Sequence, residues 1–202
     1  QSEALSKVKS FLNDDSPSAP QFFTLTGRGG TGKTTIIKEA LKGRTYAGAA
    51  YSNRAKNVLR KASGNTNTYT VAQLMAMKLQ YDRGKQVLVR KKDRNGIEED
   101  GPIDMANVII IDESSMISSS VLKELQERVR SGAKVIFMGD NVQIPPVDDD
   151  KDSPTFNFKG AHLTERFRQG EEHPIVKLTD VVADNVEKYQ EGKKGVRSPI
   201  TE

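Results

Sequence analysis

Hydrophobic and polar positions follow two different periods along the chain, and each period predicts a different kind of element. Leu5, Val8, Phe11 and Leu12 recur at the three- and four-residue spacing of an amphipathic helix. Short apolar runs predict strands in the segments QFFTLT, TYAGAAYS, NVIIID and AKVIFMGD. The run in NVIIID is uninterrupted, which is typical of a parallel strand covered on both faces.

Helical spacing returns between and after these strands. It is present in the segments KTTIIKEALK, NRAKNVLRKAS, SSSVLKELQERVRSG and PIVKLTDVVADNVEKYQ. Asn53 is the predicted N-cap of the second of these helices, and a glycine is predicted to stop the third. A further helix is predicted to begin near Thr70. The weak alternation and the NG turn of KQVLVRKKDRNGIEEDG predict a small hairpin insertion near residues 83–103.

Strands that alternate with helices predict an α/β fold, with a mostly parallel sheet flanked by helices. In such sheets, ligands bind beyond the carboxyl ends of the strands. Three of the predicted strands are followed directly by segments rich in polar residues or glycine. The predicted topology therefore gathers the candidate functional residues at one edge of the sheet.

Composition narrows the class of protein. Of the 202 residues, 35% are hydrophobic and 29% are charged, as in a globular domain. The absence of cysteine excludes disulfides and thiolate metal sites. No apolar run approaches the ~20 residues that span a bilayer, and the first residues lack the apolar core of a signal peptide. We therefore expect a cytoplasmic protein, in a bacterium or a phage-infected host, with no membrane partner.

The net charge of +4 is unevenly distributed. No Asp or Glu occurs from Leu41 to Tyr81. The cations of this stretch are Lys42, Arg44, Arg54, Lys56, Arg60, Lys61 and Lys78. Such a stretch is either a solvated basic face or a surface for a polyanion, and charge alone does not choose between them.

The segment LTGRGGTGKTT carries the most specific pattern in the chain. Gly27, Gly32, Lys33 and Thr34 complete G-x-x-x-x-G-K-[ST] between a predicted strand and a predicted helix. Glycines let phosphates approach the backbone, and the N–H groups of the following helix attract their charge. Lys33 would reach the β- and γ-phosphates, and the Thr34 hydroxyl would ligate Mg²⁺. The predicted nucleotide-binding loop also includes Gly29, Gly30, Thr31 and Thr35.

Three further segments supply candidate catalytic groups. In VIIIDESS, Asp112 ends a strand and would hold Mg²⁺, and Glu113 would act as the general base for an attacking water. In VIFMGDNVQIPPV, Gln143 would contact the γ-phosphate. In LTERFRQ, Arg166 or Arg168 would neutralise charge in the transition state, and the chemistry alone does not choose between them.

Together these segments resemble the superfamily 1 DNA helicases, on the branch of RecD-like and phage Dda-like enzymes. GRGGTGKTT resembles motif I, IIIDESSM motif II, GDNVQIPPV motif III and LTERFRQ motif IV. By that match Arg168 is the phosphate-sensing arginine. The resemblance implies that the catalytic residues are Lys33, Asp112, Glu113, Gln143 and Arg168.

The acid-free stretch contains two weaker resemblances to the same family. AAYSNRAKNVL resembles motif Ia and TYTVAQLM resembles motif Ib. The DNA-binding residues implied by these matches are Ser52, Asn53, Arg54, Lys56, Thr70 and Gln73. Gln1 stands where the family has an adenine-reading glutamine and joins the predicted ATP-binding residues.

The resemblance implies an ATP hydrolase that uses Mg²⁺ with ATP to move on single-stranded DNA, in the 5′ to 3′ direction. Residues 1–165 would form the first RecA-like ATPase domain. Residues 166–202 would begin the second motor domain or form a helical extension. Because the family binds ATP between two such domains, we expect this chain alone to be incomplete and unable to unwind DNA.

Two alternatives remain open from the residues themselves. One is a P-loop kinase for a small molecule, although a DE pair at a strand tip favours hydrolysis over transfer. The other is a DNA-binding module with a vestigial ATPase. A switch GTPase is less favoured, since the sequence has no N-K-x-D motif for guanine.

Overall fold

The computed structural model describes residues 1–82, 85–140 and 153–164 and shows helices alternating with strands. The helices are α1 (Ser2–Asn13), α2 (Lys33–Ala40), α3 (Asn53–Ser63), α4 (Val71–Leu74), α5 (Pro102–Met105) and α6 (Ser119–Arg128). The strands are β1 (Phe22–Gly27), β2 (Ala47–Ala50), β3 (Thr68–Thr70), β4 (Met77–Asp82), β5 (Lys85–Arg90), β6 (Val108–Asp112), β7 (Lys134–Gly139) and β8 (Gly160–Leu163). Two 3₁₀ turns lie at Ser114–Met116 and Pro154–Asn157.

Six of the strands form one sheet in the order β3-β2-β6-β7-β1-β8. Every neighbouring pair in this sheet is parallel. The predicted α/β fold with a mostly parallel, helix-flanked sheet is therefore confirmed. Within the described ranges, no helix is both long and apolar enough to cross a membrane.

The central strand β6 shows why its apolar run is continuous. Ile109 and Ile111 belong to the hydrophobic cluster that includes residues of α4, α5 and α6. Ile110, between them, belongs to the opposite cluster, which includes residues of α1, α2 and α3. All three isoleucines are fully buried. Because successive side chains of a strand point to opposite faces, a strand between two helical layers must be apolar at every position.

Two predicted helix boundaries are wrong by a few residues. Ser52 rather than Asn53 is the N-cap of α3, because the Ser52 backbone is extended and its side chain accepts a hydrogen bond from the Ala55 N–H. Helix α6 ends at Arg128, before the predicted glycine stop. Val129 turns into the core there, and Gly132 (φ 80°) belongs to the turn that follows.

The helix predicted from Thr70 begins where expected but is only one turn long. Thr70 and Gln73 form a capping box, and α4 ends at Leu74. Ala76 then adopts a left-handed conformation (φ 45°), which a helix does not continue through. A Cβ on Gly101 would lie 2.5 Å from the Leu74 carbonyl oxygen, so the chain at Gly101 packs directly against the end of α4.

The predicted hairpin near residues 83–103 is present but begins earlier. Strands β4 and β5 pair in antiparallel fashion, so the insertion starts at Met77. The NG turn also forms, since the Asp93 N–H donates to the Ile97 carbonyl and Lys92 pairs with Glu98. The predicted insertion therefore begins too late, because β4 (Met77–Asp82) belongs to the hairpin.

Strands β3 and β8 and helix α5 were not predicted, and β3 is only three residues long. Strand β8 is short and lies at the edge of the sheet, and Ala161 and Leu163 are its buried residues. Helix α5 has four residues, too few for a periodic signal. The helix predicted in PIVKLTDVVADNVEKYQ lies outside the described residues.

The tip of β7 is packed so closely that it excludes a side chain. A Cβ on Gly139 would lie 2.7 Å from the Ser114 Oγ and 2.8 Å from a ring carbon of Phe156. The Ser114 Oγ is buried and has no hydrogen-bond partner within the part of the chain that the structure describes. Nearby, the buried Thr24 hydroxyl donates to the Thr155 carbonyl over 2.5 Å.

These two hydroxyls predict opposite effects on stability. Replacement of Ser114 by Ala removes a buried polar group that lacks a partner, so the free energy of unfolding should rise by about 1 kcal/mol. Replacement of Thr24 by Val leaves the Thr155 carbonyl unpaired and should lower it by about 1–3 kcal/mol. Urea denaturation of both variants measures the difference. A loss of stability in Ser114→Ala as large as that in Thr24→Val would contradict the packing described here.

Candidate nucleotide and nucleic-acid site

The parallel register brings the functional segments to one edge of the sheet. Thr26 at the end of β1 pairs with Gly139 at the end of β7. Ala50 at the end of β2 pairs with Asp112 at the end of β6. Neighbouring strands lie about 4.8 Å apart, so the loops that leave these tips are immediate neighbours.

The loop after β1 has the backbone shape that its glycines predict. Gly30 (φ 83°) and Gly32 (φ 89°) are left-handed, a conformation that costs other residues about 1–2 kcal/mol. A Cβ on Gly32 would also lie 2.6 Å from the Gln1 Nε2. Helix α2 begins at the next residue, Lys33, so its first N–H groups, which have no partner within the helix, face the loop.

Lys33 lies across this loop. Its Nζ donates to the carbonyl oxygen of Gly27 over 2.5 Å and to that of Arg28 over 3.2 Å. The Thr31 hydroxyl donates to the same Arg28 carbonyl over 2.9 Å. The carbonyl oxygens are neutral acceptors, whereas a phosphate is charged, so a phosphate would compete well for this ammonium group.

The two acidic residues that follow β6 differ in environment. Burial raises the pKa of the Asp112 carboxyl, although the Glu113 N–H, which donates to Asp112 Oδ1 over 2.9 Å, and the nearby Lys33 act in the opposite direction. Burial, and then the charge of Asp112, raise the pKa of Glu113. Glu113 is also left-handed (φ 56°, ψ 38°), an unusual conformation for a non-glycine residue.

These groups line one cavity of about 470 Å³. It is bordered by Gln1, the loop residues 29–35, and Asp112, Glu113, Gly139 and Asp140. Of the predicted nucleotide-binding residues, Gly27 is not among the lining residues but accepts the hydrogen bond from Lys33. Gln1 reaches the loop directly, because its Nε2 donates to the Thr31 carbonyl over 3.0 Å.

Five lining residues were not predicted, among them Gly139 at the end of β7. Val58, Leu59 and Ala62 of α3 form an apolar side of the cavity, and Asp140 adds a buried carboxyl residue at the tip of β7. The apolar residues carried no signal, because their spacing indicates only a packed helix. Asp140 directly follows a strand, and its position at a strand tip, which it shares with Asp112, was a usable signal.

The donor set suits Mg²⁺ held partly by phosphate. The Thr34 hydroxyl and the carboxyl groups of Asp112, Glu113 and Asp140 border the same space. Over the described ranges, no group of three or more His, Cys, Asp and Glu side chains is arranged to hold a metal ion by itself. Mg²⁺ commonly uses one or two carboxylates together with substrate phosphates, so these residues fit that ion.

The candidate DNA-binding residues lie at the next two strand tips. Ala50 of β2 pairs with Thr70 of β3, which places Ser52 and Thr70 beside each other as the caps of α3 and α4. Ser52, Asn53, Arg54 and Gln73 are exposed and Lys56 is half-buried, whereas Thr70 is buried. Thr70 and Gln73 bond to each other's backbone, so capping accounts for both residues.

Two predicted catalytic residues cannot be placed. Gln143 and Arg168, together with Arg166, lie outside the described residues. The structure therefore brings together Lys33, Thr34, Asp112 and Glu113 from the predicted catalytic and metal-binding set.

Comparison with known proteins adds independent information. A family model described as an AAA domain matches residues 14–194. The chain is similar to the ATP-dependent DNA helicase dda of Enterobacteria phage T4, with 30% identity over 152 residues. It is also similar to the ATP-dependent RecD2 DNA helicase of Deinococcus radiodurans, with 31% identity over 162 residues. These matches cover 70% and 75% of the chain but only 33% and 20% of the relatives.

Solved structures show the same fold. The crystal structure of Bacteroides sp Pif1 in complex with ADP-AlF4 has a TM-score of 0.61 and 22% sequence identity to the chain. The match covers 93% of the chain and 46% of the Pif1 chain.

The left-handed backbone of Glu113 predicts an inverted preference between two small residues. Glu113→Gly should be more stable than Glu113→Ala by about 1 kcal/mol, because only glycine adopts this conformation without strain. At Lys123, an exposed residue in the middle of α6, the order should reverse by about 0.5–1 kcal/mol, because glycine weakens a helix interior. Thermal unfolding of the four variants measures both differences. Equal stability of the two variants at Glu113 would argue against the left-handed turn.

Proposed function

Because the chain belongs to the AAA-domain family and has the RecA-like core of a superfamily 1 helicase, we propose that it is an ATP-driven motor that moves on single-stranded DNA. One observation favours this proposal over the kinase and the vestigial ATPase. The cavity that contains Lys33, Asp112 and Glu113 lies one strand away from the exposed, basic N-terminus of α3. A nucleotide site and a polyanion site therefore share neighbouring loops.

In the proposed mechanism the phosphates of ATP lie on the loop after β1. The N–H groups at the start of α2 and the Lys33 ammonium bind the β- and γ-phosphates. Thr34 and Asp112 would hold Mg²⁺, which neutralises charge on the phosphate oxygens when bound. Gln1, already bonded to the loop, would contact the adenine.

Glu113 is proposed as the general base. Its pKa is raised by burial and by Asp112, which increases its affinity for a proton taken from the attacking water. The left-handed turn directs the residue away from the path of β6 and into the cavity border, where the γ-phosphate would lie. Gln143 and Arg168 are proposed to sense the γ-phosphate, by their match to the family's motifs.

The DNA surface is proposed to begin at Ser52. Helix α3 presents its N-terminal N–H groups there, beside the exposed Arg54 and the half-buried Lys56. Phosphates of a single strand are bound by amides, hydroxyls and cations of this kind. Since Ala50, two residues earlier, is paired with Asp112, a small movement at the hydrolysis site would reach this surface directly.

The whole motor is proposed to need more than this chain. The chain covers a third or less of the two helicase relatives, so a second RecA-like domain would complete the ATP site. We propose that closure and opening of the two domains produce a step along the strand, 5′ to 3′ by resemblance to the family. These 202 residues alone are not expected to unwind a duplex.

The first test is ATP hydrolysis by the natural polypeptide that contains this chain, with and without single-stranded DNA. We expect DNA to stimulate ATP hydrolysis. Lys33→Ala should abolish hydrolysis, and Glu113→Gln should lower its rate by about 100-fold or more. DNA affinity without nucleotide should be unchanged in both variants. Phosphate transfer to a metabolite without DNA stimulation would favour a kinase, and DNA binding without turnover would favour a vestigial ATPase.

The second test separates the two parts of the acid-free stretch. Arg54 lies at the carboxyl edge of the sheet, whereas Lys42 follows α2 at the opposite edge, and both are exposed. Arg54→Ala should weaken DNA binding and reduce the slope of log affinity against log salt by about 0.7. Lys42→Ala should change neither. Equal effects of the two substitutions would indicate a diffuse basic surface instead of a site at α3.

A further inference from the structure

The segment after residue 152 packs beneath the loop that carries the acidic pair. The ring of Phe158 lies 5.1 Å from that of Phe22 and 5.7 Å from that of Phe137, measured between ring centroids. Thr24 of β1 donates to the Thr155 carbonyl. These contacts fix the Ser153–Phe158 segment to the middle of the sheet.

Two buried hydroxyls of this segment bond to the acidic loop. The Ser153 Oγ donates to the Ile117 carbonyl over 2.7 Å, and the Thr155 Oγ1 donates to the Ser114 carbonyl over 3.3 Å. The two hydroxyl oxygens lie 2.9 Å apart. Ser153 is 2% exposed and Thr155 is 0% exposed, so water does not replace these bonds.

The number of hydroxyl hydrogens limits how many of these hydrogen bonds can form at once. Two hydroxyls carry two hydrogens, and the three short approaches would need three. The bond from Ser153 to Ile117 is the shortest of them, so Ser153 is the more constant donor. Thr155 divides its hydrogen between Ser153 and the Ser114 carbonyl.

The bonded carbonyls belong to the turn that begins at Glu113. Within this turn, the Met116 N–H donates to the Glu113 carbonyl and the Ile117 N–H donates to the Ser114 carbonyl. A non-glycine residue in a left-handed conformation persists only where surrounding contacts hold it. Ser153 and Thr155 lie outside the turn and form hydrogen bonds to the two ends of the segment Ser114–Ile117.

We propose that Ser153 and Thr155 are positioning residues for ATP hydrolysis. Through their bonds to the Ser114 and Ile117 carbonyls they hold the Glu113 backbone in its left-handed conformation, and so fix the position of its carboxylate. This inference rests on the proposed role of Glu113 as the general base. Neither hydroxyl touches the nucleotide cavity, so both act on the rate of hydrolysis and not on nucleotide binding.

The test measures kcat, the KM for ATP and the affinity for MgADP in the natural polypeptide that contains this chain. Ser153→Ala and Thr155→Val should lower kcat by about 10- to 100-fold, as expected for a misplaced catalytic group, with KM and MgADP affinity unchanged. Thr155→Ser, which keeps the hydroxyl, should restore kcat. In a Glu113→Gln background, Ser153→Ala should cause no further loss.

Thr24→Val is the matched control. It removes a buried hydroxyl from the same network, but that hydroxyl bonds to Thr155 and not to the acidic loop. It should therefore lower stability but reduce kcat less than Thr155→Val does, because both hydroxyls that bond to the acidic loop are kept. If Ser153→Ala does not fold, the comparison of Thr155→Val with Thr155→Ser decides the question.

The outcomes distinguish failure of the positioning role from failure of the general-base role of Glu113. Equal kcat in wild type, Ser153→Ala and Thr155→Val would overturn the positioning role, and so would an additive loss in the Glu113→Gln background. Full activity of Glu113→Gln would instead overturn the proposed role of Glu113 as the general base, on which the inference rests.

Discussion

The parallel register of β2, β6, β7 and β1 is the constraint on which the rest of the site depends. It aligns four strand tips, so that the Lys33 loop, the Asp112–Glu113 pair and the cap of α3 leave the sheet side by side. None of these loops would form a cavity alone. Close packing at the strand tips favours this register, because a residue with a side chain in place of Gly139 would clash with Ser114 and Phe156.

Strain is concentrated where the proposed chemistry takes place. Glu113 is left-handed, and the Ser114 hydroxyl beside it is buried without a partner among the described residues. Such features are destabilising and persist when the surroundings over-determine them. Here the surroundings are the bare Cα of Gly139 and the hydroxyls of Ser153 and Thr155. A rigid turn at this point would keep a carboxylate in place without a contribution from flexible side chains.

The sequence predicted those elements and site residues that are defined by the spacing of nearby residues. The loop from Gly27 to Thr34 and the strand ending at Asp112 were found because the chemistry fixes their residue types and intervals. The cap of α3 was placed one residue late, because Ser52 and Asn53 are both good caps and only the backbone distinguishes them. The roles of Ser153 and Thr155 had no local signal, since their partners lie 36 and 41 residues away. Gln143 and Arg168 remain predictions.

We propose that the cavity beside Lys33 and the N-terminal surface of α3 are coupled through adjacent strand tips. Coupling between two binding sites is reciprocal, so it is measured most directly as a pair of affinities. The measurement is the affinity for single-stranded DNA with and without a non-hydrolysable ATP analogue, and the affinity for the analogue with and without DNA. Each ligand should change the affinity for the other by the same factor, about 5-fold or more. Affinities that are independent of the second ligand would contradict this coupling.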